Sequence, residues 1–263
     1  MNHAHSTQRP AAGRRASRGV TLALTAVIGL TLAGTETRGQ ELFPWEEDAV
    51  DTEIVLEPRS LESLAAAADL VALVQVLDTD YETKRDFPVG GTAFLRILIP
   101  YKLDRPRPDI IEVYDEGLRP NTCYFPNPEV TEEGSRHLLF VRRNPDVEGQ
   151  YLGLETGCAL TALVTADNRY ALRHPPDGPP LTDDLAALAR PLEFTDAYAI
   201  IDYEDLTVDD RLDLLERGLL EEREDRTYLV TQGIPLSEVR PLLGEENLTR
   251  DRSLLRPAPT DGH

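Results

Sequence analysis

The sequence predicts a mainly β protein: a small closed Greek-key barrel with one N-terminal helix, followed by a small α-rich C-terminal domain. Three observations support this fold class. A helix-forming stretch at 60–68 leads directly into strand-like stretches at 69–77 and 93–103. Short apolar stretches separated by turn residues then continue to residue 173. After the proline-rich residues 174–180, the apolar residues recur at helical spacing.

The N-terminus has the pattern of an export signal. Four arginines precede a largely apolar stretch of 14 residues, Val20 to Ala33, and a membrane-spanning helix needs roughly 20. We therefore predict a signal peptide over 1–39, cleaved near 33–39. No cysteine that could carry a lipid follows it. The expected location is periplasmic or secreted, with no stable membrane anchor after cleavage.

The charge of the chain limits its partners. The formal net charge is −20, and such a surface repels nucleic-acid phosphates and anionic lipids. Between Leu181 and Leu255 the chain has 19 acidic residues and 8 arginines, so a nucleic-acid partner is not expected. Residues 40–59 form a predicted extended acidic arm. Within it, Trp45 either packs against its own domain or anchors a partner.

The predicted barrel occupies residues 60–174. Ser60 is a suitable N-cap for a short helix, and the unbroken apolar run Leu70–Leu77 predicts a strand that is buried on both faces. Residues 78–91 are polar and predict a hairpin connection. Ala93–Leu103 is the second strand, in which Pro100 indicates a bulge or an edge.

Further short strands complete the predicted barrel. They are Ile110–Tyr114, His137–Val141, Tyr151–Leu154, Cys158–Thr165 and Tyr170–Leu172. Asp167-Asn168 predicts a tight turn between the last two. The long loop at 115–136 contains Cys123, and a loop of that length is either functional or tied down.

The order of these segments resembles a known family. A-D-L-V-A-L-V-Q-V, F-L-R-I-L-I-P-Y-K, I-I-E-V-Y followed by N-T-C, H-L-L-F-V and Y-L-G-L-E-T-G-C-A-L resemble the netrin-like module. This module is the OB-fold domain of tissue inhibitors of metalloproteinases and of several extracellular binding proteins. The resemblance covers about 60–173 and rests on element order and on the positions of Cys123 and Cys158. It implies an OB-type barrel with a binding role.

One departure from the family limits what the resemblance implies. The inhibitors place an N-terminal Cys-x-Cys on the protease zinc, and here no cysteine precedes Cys123. Inhibition of zinc proteases by that mechanism is therefore not implied.

The two cysteines allow two interpretations. Two cysteines in an exported chain most often form one disulfide, and the Cys123–Cys158 loop would add about 3–4 kcal/mol of stability. Alternatively, Cys158 is a nucleophile served by His137 or His174, which requires a lowered thiol pKa and a nearby base. We predict the disulfide.

Other signatures of chemistry are missing from the sequence. There is no H-E-x-x-H, G-x-S-x-G, P-loop or G-x-G-x-x-G motif, so no metal site, cofactor or catalytic residue is predicted. The acidic cluster comprises Asp202, Glu204, Asp205, Asp209 and Asp210. It lacks the glycine of a calcium loop, and we expect a solvated face. A glycosidase carboxylate pair is not singled out among the 47 acids.

A linker at 175–180, a helical domain at 181–255 and a tail at 256–263 complete the predicted organisation. The predicted elements are helices at Leu181–Ala189, Thr207–Gly218 and Leu236–Leu243, the last interrupted at Pro241, and a short strand at Thr227–Val230. Thr207 is the expected N-cap and Gly218 the expected end of the second helix.

The function predicted is non-catalytic binding of a protein or another envelope ligand. Tyr124 and Phe125, expected to be exposed beside Cys123, are the candidate partner contacts; the alternative is that both pack beside the disulfide. A second candidate function is an extracytoplasmic hydrolase that uses carboxylates or Cys158. A third is a structural component of the envelope.

Overall fold

A closed five-stranded barrel is built from the first five strands of the described residues. They are β1 (Leu70–Lys84), β2 (Phe87–Lys102), β3 (Ile110–Asp115), β4 (Arg136–Arg143) and β5 (Gln150–Gly153). Their order is β1-β2-β3-β5-β4, and β4 pairs back onto β1. The β3–β5 pair is parallel, and the other pairs are antiparallel. The structure, a computed structural model, describes residues 57–84, 87–115, 123–129, 132–155 and 157–257.

Strand β1 is buried on both faces, as its apolar run predicts. Leu70, Ala72, Val74 and Val76 belong to the apolar cluster shared with β2 and β3 inside the barrel. Val71 and Leu73 point the opposite way, into a second cluster with Leu138 and Phe140 of β4. Alternation along a strand sends successive side chains to opposite faces, so both faces of β1 need a cover.

The helix α1 (Leu61–Ala67) covers the outer face of the barrel. The Ser60 hydroxyl caps it by accepting the N–H of Ser63 at 3.1 Å. Leu61 and Leu64 are buried in the outer cluster, and burying a leucine stabilises the fold by about 2–3 kcal/mol. The predicted helix and its N-cap are confirmed.

The first hairpin is longer than the sequence predicts. The predicted polar connection 78–91 is wrong, because β1 continues to Lys84 and β2 begins at Phe87. The pairs there include Asp80 with Thr92 and Tyr81 with Gly91. The pairing of β1 with β4 ends at Gln75, and from Asp78 onward β1 pairs, among the described strands, with β2 alone; we call 78–84 and 87–94 the hairpin arm. Polar residues are tolerated in the hairpin arm because the residues of a strand outside the core do not have to alternate between polar and apolar.

The predicted irregularity at Pro100 is confirmed as a bulge. Val71 pairs with Lys102 while Ala72 pairs with Pro100, so Tyr101 is the extra residue on β2. A bulge bends a strand and increases its twist. It therefore helps β2 to follow the curvature of a closed barrel.

A sheet extends from the barrel at β4. Strands β6 (Ala159–Val164) and β7 (Tyr170–Arg173) form the predicted hairpin, in which Asn168 has a φ of 58°. β6 pairs with the first half of β4 and β5 with the second half. β5 and β6 therefore follow one another along the same edge of β4, and Cys158 lies between them.

The C-terminal residues form both helices and strands. Besides short 3₁₀ helices, the remaining described elements are β8 (Arg190–Pro191), β9 (Ile200–Asp202), α2 (Val208–Glu216), β10 (Leu220–Glu222), β11 (Thr227–Val230), β12 (Gln232–Pro235) and α3 (Leu236–Leu242). β12 and β8 continue the first sheet in the order β7-β12-β8, and the other three strands form a second sheet of order β10-β11-β9.

The predicted α-rich domain at 181–255 is not confirmed. β12 pairs with β7, and Ile234 and Val239 share the outer cluster of the barrel with Phe140. The described residues all lie within one unit, Glu53–His263. Short apolar runs fit a strand or a helix equally well, and only pairing with β7 selects a strand here.

Several local predictions in this part hold. Thr207 caps α2 by accepting the Asp210 N–H at 3.2 Å, and the strand at Thr227–Val230 is β11. α3 contains Pro241. The predicted helix at 181–189 is instead a 3₁₀ helix at Asp183–Leu188.

Residues 175–180 are packed against the barrel. The Pro180 carbonyl accepts the N–H of Arg59 at 3.0 Å, and a Cβ on Gly178 would lie 2.1 Å from the Ala159 carbonyl oxygen. These residues are therefore held in place, although they have the composition of a linker.

The predicted signal peptide and Trp45 lie outside the described residues, and so does most of the predicted arm and tail. Among the described residues, no helix combines the length and the apolar character needed to cross a bilayer.

Candidate functional site

The segment 123–129 is tied to the barrel by a disulfide. Cys123 and Cys158 are at disulfide distance, with their Cα atoms 5.7 Å apart, and both are buried. Gly153 on β5 leaves the space that this bond requires, because a Cβ there would lie 3.0 Å from the Cys123 Cβ. The predicted pairing is confirmed at the level of distance, and Cys158 is not a free thiol.

Two further hydrogen bonds hold this segment. The carboxylate of Asp115, at the end of β3, accepts the N–H of Cys123 at 2.6 Å. The hydroxyl of Tyr81, in the hairpin arm, accepts the N–H of Phe125 at 3.2 Å. Burial raises the pKa of Tyr81 to about 12, so this hydroxyl stays neutral near pH 7. The segment is thereby fixed at three points: to Cys158 between β5 and β6, to β3 and to β1.

Tyr124 and Tyr81 form an aromatic pair beside this segment. Their ring centroids are 5.0 Å apart and the rings lie at 80°, the edge-to-face geometry that aromatic pairs prefer. Both residues are partly exposed. Burial and then the negative charge of Asp115 raise the pKa of Tyr124. We call Tyr81 and Tyr124 the tyrosine rim.

The structure corrects the expectation that Phe125 is exposed. Phe125 is 3% exposed, and its ring lies 5.1 Å from that of His137 at an angle of 64°. The segment alternates like a strand, so that Cys123 and Phe125 point into the barrel while Tyr124 points outward. Phe125 therefore packs beside the disulfide, which is the alternative that the sequence left open.

His137 is buried behind Phe125. Its Nε2 lies 2.9 Å from the Ser135 hydroxyl oxygen. Burial lowers the pKa of His137 from 6.5 to about 4, against an opposing effect of the Asp177 carboxylate. The ring is therefore neutral at pH 7. Ser135 is only 2% exposed, which keeps its hydroxyl from a bulky substrate.

A small cleft of about 200 Å³ adjoins these residues, and Cys123, Tyr124, His137, Cys158, Thr161 and Asp177 contribute to its lining. Asp177 is held by the N–H and the hydroxyl of Thr161, at 2.9 and 2.6 Å. Arg173 lies 3.6 Å from the same carboxylate. The acceptor atoms of Asp177 are thus already engaged by neighbouring residues.

The other candidate residues lie elsewhere. His174 is buried, and it lines a different cleft with Arg217; burial and then the positive charge of Arg217 lower the pKa of His174. The acidic residues 202, 204, 205, 209 and 210 are exposed, as expected for a solvated face. Among the described residues, no three His, Cys, Asp or Glu side chains are grouped to hold a metal ion.

Sequence reasoning missed Tyr81, Ser135 and Asp177. Tyr81 stands among charged residues and Asp177 among prolines, so neither has a local pattern that indicates a site. Ser135 and His137 are two residues apart, and that spacing places both side chains on one face of a strand. This spacing was the one available signal.

Comparison with known proteins gives no relative. No protein-family model, no curated protein and no solved structure matches this chain.

Proposed function

We propose that this chain is an exported, non-catalytic binding module of the netrin-like OB type, and that a protein or other envelope ligand contacts its tyrosine rim. A closed five-stranded barrel with one helix at its N-terminal end supports the OB assignment. The buried cysteine pair supports export, because disulfides persist in oxidising compartments.

The tyrosine rim is the observation that carries this proposal. Apolar side chains from every strand of the barrel fill its interior, so a ligand has to bind outside. Tyr81 and Tyr124 are partly exposed and fixed to each other by ring contact. The disulfide, Asp115 and the hairpin arm hold Tyr124 in place. Tyrosine is enriched in binding hot spots, and a rigid contact loses little entropy on binding.

The surroundings of the rim favour binding over catalysis. The sulfur of Cys158 is bonded to Cys123 and does not act as a nucleophile. Asp177 already accepts hydrogen bonds from Thr161. A general base works best with a pKa near the operating pH, whereas that of His137 is about 4.

One contact favours the hydrolase alternative. Ser135 and His137 are 2.9 Å apart, and Asp177 acts electrostatically on the same ring, which are the residue types of a Ser-His-Asp triad. A serine-reactive fluorophosphonate distinguishes the two functions. Because Ser135 is buried, we expect no labelling of it. Labelling of the native chain that is lost in Ser135→Ala would contradict the binding proposal and indicate a hydrolase.

A photo-crosslinking experiment tests the binding proposal. A photoreactive phenylalanine is placed at Tyr124 and, as a matched control, at Tyr170 of β7, which is also partly exposed. We expect a discrete adduct from position 124 in the exported fraction and none from position 170. Equal patterns from both positions, or no adduct from either, would contradict binding at the rim and favour a structural role.

The mass of the protein from the same fraction tests export. A mass that lacks the first 33–39 residues, with alkylation of the cysteines only after reduction, is expected. A full-length mass or two freely alkylated thiols would contradict export.

A further inference from the structure

An open cleft near the C-terminal end of β2, away from the tyrosine rim, is lined by three arginines. Arg240, Arg250 and Arg252 contribute to it together with Glu245, Leu248 and Leu255, and its volume is about 570 Å³. Residues 181–255 have 19 acids and 8 arginines. The cleft reverses this ratio, because three of its lining residues are basic and one is acidic.

The charge of these arginines is not neutralised locally. None of the three forms a salt bridge with a residue in the described part of the chain, although seven other arginines do. Two neighbouring acids, Asp251 and Glu246, are engaged elsewhere, and Glu245 is the one acid in the lining of the cleft. Asp251 accepts the N–H and hydroxyl of Ser253, at 2.9 and 2.7 Å. Glu246 is hydrogen-bonded to Glu62, which raises the pKa of Glu62.

The backbone that carries these arginines is firmly held. The Thr249 hydroxyl accepts the N–H of Leu103 at 2.6 Å and donates to its carbonyl at 3.1 Å. The Thr249 N–H donates to the Tyr101 carbonyl at 2.9 Å. Arg240 is on α3, whose Val239 is fully buried in the outer cluster. The three arginines are exposed, but the contacts of Thr249 and Val239 hold the backbone next to Arg250 and Arg240 in place, which favours a preorganised charge pattern.

Apolar surface accompanies the charge. Leu248 and Leu255 are partly exposed in the same cleft, while both pack against the apolar clusters beneath. Guanidinium groups match carboxylates and phosphates with paired hydrogen bonds. An inorganic phosphate would leave the leucines unused, whereas a peptide supplies carboxylates and apolar side chains together.

We propose that this arginine cleft binds an acidic peptide segment of a partner protein, with carboxylates on Arg240, Arg250 and Arg252 and an apolar side chain against Leu248 and Leu255. Arginine clusters are a recurring means of recognising acidic motifs. The cleft is a second binding site beyond the tyrosine rim. Tyr81 pairs with Gly91 and Thr249 bonds to Tyr101, which places the two sites about 30 Å apart along β2.

Fluorescence anisotropy of the full chain tests this proposal. The probe is a fluorescein-labelled peptide of alternating glutamate and leucine, and the same peptide with glutamine in place of glutamate is the reference. The test variant carries Arg240→Gln, Arg250→Gln and Arg252→Gln. The matched control carries Arg96→Gln, Arg142→Gln and Arg223→Gln, which are also exposed and outside the salt bridges of the described residues. Both variants change the net charge equally.

We expect the acidic peptide to bind the native chain and the glutamine peptide not to bind. The cleft variant should lose at least about tenfold in affinity and the control less than about twofold. Equal losses in the two variants, or no binding by the native chain, would overturn the proposal.

Two further measurements address other anions. Sodium phosphate that displaces the peptide better than sodium chloride of equal ionic strength would assign the cleft to phosphate instead. Arginine-dependent binding to vesicles of anionic phospholipid, without peptide binding, would assign it to a membrane. Either result overturns the peptide assignment. The crosslink at position 124 is independent of all these outcomes, so failure here is distinguishable from failure of the proposed function.

Discussion

Arg136 on β4 forms a buried ion pair with Asp196, sixty residues further along the chain. Its Nη1 donates to the Asp196 carboxylate at 3.2 Å, and the two side chains are 10% and 3% exposed. The same carboxylate accepts the N–H of Val164 at 3.1 Å and that of Tyr198, also at 3.1 Å. One carboxylate therefore connects β4, β6 and the 3₁₀ helix Ala197–Ala199.

Replacing this carboxylate should destabilise the fold. In Asp196→Asn, Arg136 keeps an ion pair with Glu133, which is 77% exposed, but loses its buried partner. We expect the free energy of unfolding in urea to fall by about 3 kcal/mol. The matched control is Asp213→Asn, whose partner Arg217 is 2.8 Å away in an exposed pair. It should cost less than about 1 kcal/mol. Equal costs would contradict a structural role for the buried pair.

The disulfide should stabilise the fold through the loop that it closes. Cys123 and Cys158 are 35 residues apart in sequence, which predicts a loss of about 3–4 kcal/mol in the double variant Cys123→Ala, Cys158→Ala. Urea unfolding of the native chain with and without reductant should reproduce this difference. A double variant as stable as the oxidised chain would show that the bond contributes nothing.

Gly91 is required by the close approach of the two strands of the hairpin arm. Its φ is 141°, and a Cβ there would lie 2.1 Å from the Asp80 carbonyl oxygen and 2.7 Å from the Tyr81 Cα. Gly91→Ala should cost at least about 2 kcal/mol and move Tyr81 in the rim. Gly149→Ala is the control, because Gly149 also has a positive φ, 87°, but has no atom within 4 Å of the added Cβ. It should cost about 1 kcal/mol. The prediction is wrong if the two variants unfold alike.

His137 should make stability depend on pH. Its pKa is about 4 in the folded chain and about 6.5 when unfolded, so the unfolded chain binds more protons between these values. The stability that comes from the neutral His137 ring is fully present above pH 6.5 and is lost as the pH falls to 4. The free energy of unfolding falls by up to about 1.4 kcal/mol per pH unit and by about 3 kcal/mol in total. His137→Gln removes this dependence.

The measurement for His137 is urea unfolding of both proteins at several pH values. Carboxylates titrate in both proteins, so their effect cancels in the difference in unfolding free energy between the native chain and the variant. That difference should shrink as the pH falls from 6.5 to 4. A constant difference would contradict the burial of a neutral ring.

Much of the barrel could be predicted from local pattern. The run Leu70–Leu77 indicates a strand covered on both faces, Ser60 indicates a helix start, and Asp167-Asn168 indicates a hairpin. Each depends on residues adjacent in sequence, because alternation, capping and turn geometry are local properties. The hairpin arm was missed since polar residues 78–84 have no apolar alternation, and pairing with β2 alone makes them a strand.

The sequence by itself determined the apolar segments, the acidic surface and the presence of two cysteines that suit one bond. The tertiary structure alone decided which groups meet. It buried Phe125 against His137, placed Tyr124 on Tyr81, returned β12 to β7 and brought three arginines to one cleft. The physical reason is that packing and pairing join residues distant in sequence, and local propensities are too weak to specify such contacts.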